Sequence, residues 1–144
     1  MQNQAPLFSP PGSVFVADER IFLKEIIVDR WSKYSAVIDA LAPSSDPQKM
    51  AKLFFHELKK DKFHAKATHN SYARRCERDD GFIAEGYFDD GEKGAGKIIL
   101  REMQKAKLLN GIVVVVRYYG GVKLEADRFR HVVDATQMIV KKVH

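Results

Sequence analysis

The sequence contains one cysteine, Cys76, so no internal disulfide can form. Folding must rest on an apolar core, and a reduced, cytoplasmic setting is the expectation. No long apolar run occurs. The longest, Ile112–Val116, is far short of the roughly 20 residues that a membrane helix needs, so no membrane partner is expected. Met1–Pro6 has neither a basic nor an apolar stretch of the kind a secretory signal uses. Proline is missing after Pro47, and only one of nine glycines precedes Gly81. His56, His64 and His69 have no zinc-ligand spacing, and a lone cysteine gives no thiolate cluster. Neither a metal nor a cofactor is expected.

What is present fits one folded unit. The chain has 144 residues and is 45% hydrophobic, and at this size roughly 68–70% of the unfolded surface can be buried. A lead-in over 1–12 and one domain over 13–144 are expected. The net charge is +5 and unevenly placed. Between Pro47 and Arg78 nine basic residues face three acidic ones, so this stretch alone exceeds the whole chain's excess. Lys59, Lys60, Lys62, Lys66, Arg74 and Arg75 form a candidate basic patch. Such a patch attracts nucleic acid, an anionic membrane surface or an acidic protein, or it is simply a solvated helix face with flanking loops.

Short runs rich in Val, Ile and Phe predict strands over Ser13–Ala17, Ile21–Asp29 and Tyr34–Leu41. Ser44-Ser45-Asp46 followed by Pro47 is a helix start, and Met50, Leu53, Phe54 and Leu58 form an apolar stripe. Strands are predicted over Lys66–Cys76 and Phe82–Phe88. A helix is predicted from near Gly94 to Asn110-Gly111. Ile112–Tyr119 opens with a continuous apolar run, the mark of a strand buried on both faces in mid-sheet. Phe129, Val132, Val133, Thr136 and Val140 predict a last amphipathic helix. The expected fold is α+β, a two-layer mixed β-sheet with helices on one face.

Gly91–Lys97 has the spacing of a phosphate-binding loop. The hydroxyl residue that would hold magnesium is replaced by Ile98, and Asp89, Asp90 and Glu92 place negative charge where a polyphosphate would lie. The later apolar strand ends in Arg117 rather than a metal-binding Asp. The loop is therefore read as a helix start whose acids satisfy the free backbone N–H groups, in preference to a metal site. Arg75 and Arg78 flank Cys76 and would favour its thiolate, but no His-plus-acid pair accompanies it, so a structural thiol is the reading. His69 and Asn70 lie in the polar strip Thr68–Tyr72, and a hydrogen-bonded structural histidine is the plain alternative to a ligand-binding one. Arg117-Tyr118-Tyr119-Gly120-Gly121 is either a tight turn with inward tyrosines or an Arg/Tyr contact surface.

Several of these segments resemble one family. Asp29-Arg30-Trp31-Ser32-Lys33-Tyr34, Ala67–Ala73, Asp89–Glu92 with Ala95-Gly96, and Val113–Val116 with Arg117–Gly121 are similar to the IMPACT family, which includes a YigZ-like bacterial branch. Asp127-Arg128-Phe129-Arg130-His131 is closer to the eukaryotic branch. The resemblance covers about Asp29–His144. It implies a fold resembling the second domain of ribosomal protein S-five and domain IV of elongation factor G. For the eukaryotic branch it implies binding to the activator of the general-control initiation-factor-two kinase, without enzymatic activity. For the bacterial branch, nucleic-acid binding has been proposed. Met1–Asp29 is too short for the RWD domain of eukaryotic members, the chain stops before the ferredoxin-like domain of bacterial ones, and Glu125 stands where the family has glycine.

Two functions follow as expectations. One is a non-enzymatic translation and stress-response regulator docking on a protein partner, the kinase activator by resemblance. The other is an RNA- or ribosome-binding module using Pro47–Arg78. The candidate binding residues are His69, Asn70, Tyr72, Asp89, Asp90, Glu92, Arg117, Tyr118, Tyr119, Gly120 and Gly121. If the protein were an enzyme, its site would lie where His69, the Asp89–Glu92 loop and Arg117 meet.

Overall fold

The structure, a computed structural model, describes residues 9–16 and 19–143. Residues 1–8 of the expected lead-in and Ala17 of the first expected strand lie outside the described residues. The elements in chain order are β1 (Val14–Phe15), β2 (Ile21–Asp29), β3 (Ser32–Ala40), α1 (Pro47–Leu58), α2 (Lys62–Lys66), β4 (His69–Glu77), β5 (Ile83–Phe88), α3 (Ala95–Lys105), β6 (Leu108–Leu109), β7 (Gly111–Tyr118) and α4 (Asp127–Val140). A 3₁₀ turn, Lys141–Val143, follows α4.

The main sheet runs β2-β3-β7-β4-β5. Every neighbour pair in it is antiparallel. The one parallel ladder among the described residues, β1 with β6, forms a separate two-stranded piece. The α+β class is as expected, and two details differ. The five-stranded sheet is antiparallel, not mixed. Its helices cover both faces, not one.

The second difference follows from β7. Five successive residues, Ile112–Val116, are 0–3% exposed, so both faces of the strand need a cover. On one face Val113 and Val115 join Tyr34, Ala36, Ile38 and Ala73 beneath Ile99 and Met103 of α3 and Val132, Ala135 and Ile139 of α4. On the other, Ile112, Val114 and Val116 join Val37, Tyr72 and Cys76 against Ala51 and Leu58 of α1. Fully burying one such side chain contributes about 1.5–3 kcal/mol. Cys76 is 1% exposed, and burial pushes its thiol up, in line with a structural thiol.

Helix α1 starts where its sequence signals place it. The Asp46 carboxylate accepts from the Lys49 N–H at 3.1 Å, and Pro47 occupies the first turn. Its packed face is rotated from the expected stripe. Ala51 lies flush with the sheet, while Met50 and Leu53 are 38% and 50% exposed. The short α2 packs by a reciprocal pair: His64 Nδ1 meets Asn70 Oδ1 at 3.0 Å, and Asn70 Nδ2 donates to the His64 carbonyl at 2.8 Å.

That pair carries a pH dependence. Burial pushes the His64 imidazole below its ordinary value of 6.5, outweighing the opposing bond from Asn70. The folded chain therefore binds fewer protons at this group than the unfolded chain. Its contribution to stability is complete above the ordinary value and is lost as pH falls through it. Acidifying from about pH 7.5 to about pH 5.5 should lower the urea midpoint. His64→Asn keeps a donor near Nδ1 but cannot titrate, so its midpoint should fall less. Equal falls for the two proteins would refute this.

Candidate functional site

At one end of the sheet, five separated segments meet. Strand β4 contributes His69, the β5–α3 loop contributes Glu92, and β7 ends in Arg117. Arg117 Nη1 donates to Glu92 Oε1 at 2.7 Å, and His69 Nε2 lies 3.0 Å from Glu92 Oε2. Arg117 and Glu92 are each 6% exposed. The other imidazole nitrogen of His69 lies 2.8 Å from the Asp90 carbonyl oxygen, so both ring nitrogens are engaged within the site. Asp90 Oδ2 accepts from the Asn70 N–H at 2.8 Å, and Ser71 Oγ donates to the Asp89 carbonyl at 2.7 Å. These bonds lock the loop against β4.

Asp89 fills the place that a phosphate would take in a phosphate-binding loop. Its carboxylate accepts from the Gly94 N–H at 3.0 Å and the Gly96 N–H at 2.8 Å, occupying the donors at the start of α3. Asp89→Ala should cost about 1–2 kcal/mol, as loss of a helix cap does. Asp89→Asn, which keeps one acceptor, should recover part of it in urea melts. An alanine variant as stable as wild type would contradict the capping role.

The remaining two segments are the β2–β3 turn and the start of α4. Asp29 pairs with Ser32, leaving Arg30 and Trp31 as a two-residue turn. Both have positive φ, 45° and 72°. Such a turn usually takes Asn-Gly, because side chains in this region cost about 1–2 kcal/mol each. The turn is tied down from outside. Arg30 bonds to Asp29 at 3.0 Å and also to Asp127 of α4, and His131 Nε2 lies 2.7 Å from Asp29 Oδ2. Arg30, and then His131, hold the Asp29 carboxyl down to about 2. Ser32 Oγ accepts from the Gly120 N–H at 3.2 Å. The Trp31 side chain is left 75% exposed, with Tyr119 46% and Phe129 37% exposed nearby in these linked segments.

Arg117 lies 5.6 Å from the ring centres of both Tyr34 and Tyr119. Tyr34 is fully buried with its hydroxyl unpartnered, and burial pushes that hydroxyl up to about 12. Nothing here is arranged as a nucleophile with a base. The Glu92 carboxylate is held between Arg117 and His69, and the second ring nitrogen of His69 meets the Asp90 carbonyl. Among the described residues, no group of three or more His, Cys, Asp or Glu is placed to hold a metal ion. No helix of the structure is long and apolar enough to cross a membrane.

The residues singled out in the sequence divide between the two faces. His69, Asp89, Asp90, Glu92, Arg117, Tyr119, Gly120 and Gly121 lie at this end. Asn70 and Tyr72 turn their side chains to the α1 face, as does Tyr118, whose hydroxyl donates to the Phe63 carbonyl. The basic patch is also divided. Lys59, Lys60, Lys62 and Lys66 are exposed around α1 and α2, with Lys60 paired to Glu57 at 2.9 Å. Arg74 lies across Gly86 on the α1 face, whereas Arg75 is on the α3 face, bonded to Glu85 at 2.7 Å and to the Leu108 carbonyl at 2.9 Å. Asp29, Trp31, Ser32, Tyr34, Asp127 and His131 were not among the candidate binding residues, although Asp29–Tyr34 and Asp127–His131 carry the family resemblance.

One antiparallel sheet with helices on both faces defines an α+β domain whose fold recurs in known structures. A solved hypothetical protein shares it at TM-score 0.66 and 25% identity, covering 91% of this chain and 59% of that one. The two-domain translational regulator Yih1 shares it at TM-score 0.52 and 25% identity, covering 99% of this chain and 54% of that one. The Impact N-terminal domain family model matches residues 30–140, and the chain belongs to the IMPACT family.

Among curated relatives, Protein IMPACT of Homo sapiens is 40% identical over 116 residues, 79% of this chain and 35% of its own length. Protein IMPACT-B of Xenopus tropicalis is 34% identical over 139 residues, 93% of this chain and 41% of its own. The Protein IMPACT homolog of Dictyostelium discoideum is 32% identical over 120 residues, 83% of this chain and 34% of its own. The chain thus spans between a third and a half of the length of these relatives.

Proposed function

We propose that this chain is a non-enzymatic regulator of translation that acts by docking a protein partner at the β2–β3 end. The partner implied by the family is the activator of the general-control initiation-factor-two kinase. The observation that carries the docking reading is Trp31, an exposed indole on a strained turn that two Arg30 ion pairs and the His131–Asp29 contact tie to α4 and to its own base. Strain retained at a turn tip marks function more often than fold, and a rigid exposed Trp beside Tyr and Arg is the composition of an interface hot spot. The charged groups behind it are consumed by one another, which suits a scaffold better than a catalyst.

The test is capture of the kinase activator by the purified chain. Binding is expected, and Trp31→Ala should weaken it by about thirtyfold or more with little change in the urea midpoint. Absence of capture, or equal capture by the alanine variant, would overturn the reading.

The four exposed lysines around α1 and α2 favour a second reading, RNA or ribosome binding. Its signature is affinity that falls steeply with salt and weakens on charge reversal at Lys59, Lys60 and Arg74. No RNA binding at low salt would dispose of it.

A further inference from the structure

A groove of about 410 Å³ opens on the α1 face, away from the ion-paired end. Its floor is aromatic. The Phe55 ring lies 5.0 Å from that of Tyr72 and 5.6 Å from that of Phe88, and Tyr72 and Phe88 are 5.6 Å apart. Its rim is Lys52, His56 and Lys59, and no acidic side chain lines it. Lys59 Nζ stands 5.4 Å from the Phe55 ring centre. Phe88 is 43% exposed.

Phe88 also ends β5, the outermost strand of the sheet, whose outer edge has no partner among the described residues. A free edge offers unpaired backbone N–H and C=O groups to another strand. Two residues back on the same face is Gly86, with the Arg74 guanidinium lying across it. Arg74 Nη1 is buried and has no partner. Aromatic floor, cationic rim and free strand edge are therefore contiguous.

We propose that this groove and the free edge of β5 form a second docking site, taking an extended acidic peptide that bears one large apolar side chain. The peptide backbone pairs with β5 as an added strand. The apolar side chain seats among Phe55, Tyr72 and Phe88. The acidic side chains face the rim cations Lys52 and Lys59, in a groove that no acidic side chain lines. A nucleic acid could use the cations, but it cannot complete a backbone ladder, and two rim lysines are few for a phosphate track. This site shares no residue with the Trp31 surface and does not depend on it.

A random-peptide phage library panned on the full chain tests the proposal. Enriched sequences should be net acidic and carry a Leu, Phe or Trp. A synthetic copy should slow amide exchange across Ile83–Phe88. The Lys52→Glu/Lys59→Glu double variant, altered only at exposed positions, should keep its circular dichroism and lose about tenfold or more in affinity. Phe88→Ser should weaken binding as well, whereas Trp31→Ala should leave it unchanged, which separates this site from the first. Enrichment without acidic bias, no enrichment, or affinity indifferent to the lysines would overturn the proposal. So would an oligouridine that displaces the peptide and binds the same lysines more tightly.

Discussion

Glu92→Ala is expected to lower the unfolding free energy by about 3–5 kcal/mol, the usual cost of removing one partner from a buried ion pair. The loss exceeds that of the pair's attraction. Arg117 would remain 6% exposed with its charge uncompensated, and its Nε has no partner even in the intact protein. His69 would lose its Nε2 acceptor at the same time. The urea midpoint should fall with little change in slope. Replacing both partners, Glu92→Leu with Arg117→Met, should recover most of the stability, because no orphaned charge remains. A double variant as unstable as the single one would show that packing, not charge, holds this end together.

The second large effect concerns Gly120. A Cβ built there would lie 2.1 Å from the Trp31 carbonyl carbon and 2.5 Å from the Ser32 backbone nitrogen. These are backbone atoms of a turn already under strain and tied to α4, so little can give. Gly120→Ala should therefore cost about 3 kcal/mol, the upper end of the overpacking range. It should also change the fluorescence of the chain, since Trp31 is its only tryptophan. Gly121 is the control. It has φ +91° but open space around it, so Gly121→Ala should cost only about 1 kcal/mol of backbone strain and leave the Trp31 spectrum unaltered. Equal effects at the two glycines would contradict the close approach.

Much of the fold was legible because local chemistry dictates it. Asp46 and Pro47 place the start of α1, and the Ile-, Phe- and Val-rich run Ile21–Asp29 gives β2 its full extent. The five-residue helix α2 and the two-residue strand β6 escaped, being too short to show a period. The layering error had a remedy within the sequence. A continuous apolar run in β7 already required covers on both faces, which one layer of helices cannot supply.

The site was legible in its segments rather than in its residues. Side chains alternate across a strand, so a contiguous strip cannot all face one site. In Thr68–Tyr72 the structure turns His69 and Ser71 one way and Asn70 and Tyr72 the other; in β7 it parts Arg117 from Tyr118 in the same way. Trp31 gave no chemical signal of its own. What distinguishes it is a two-residue turn without glycine, and that strain appears only once Asp29 is seen opposite Ser32.

The position of β7 has a consequence for how the chain is made. Residues 21–40 can close as one hairpin and residues 69–88 as another, each from neighbouring segments. No strand ladder joins the two hairpins until β7 enters between them, pairing Lys33–Ala40 on one side and His69–Arg75 on the other. During synthesis from the N-terminus, both hairpins must wait with open inner edges until Gly111–Tyr118 has left the ribosome. Pulsed hydrogen exchange during refolding should accordingly protect β2–β3 and β4–β5 amides ahead of those bonded to β7. Simultaneous protection would mean that the sheet assembles in one step around its last strand.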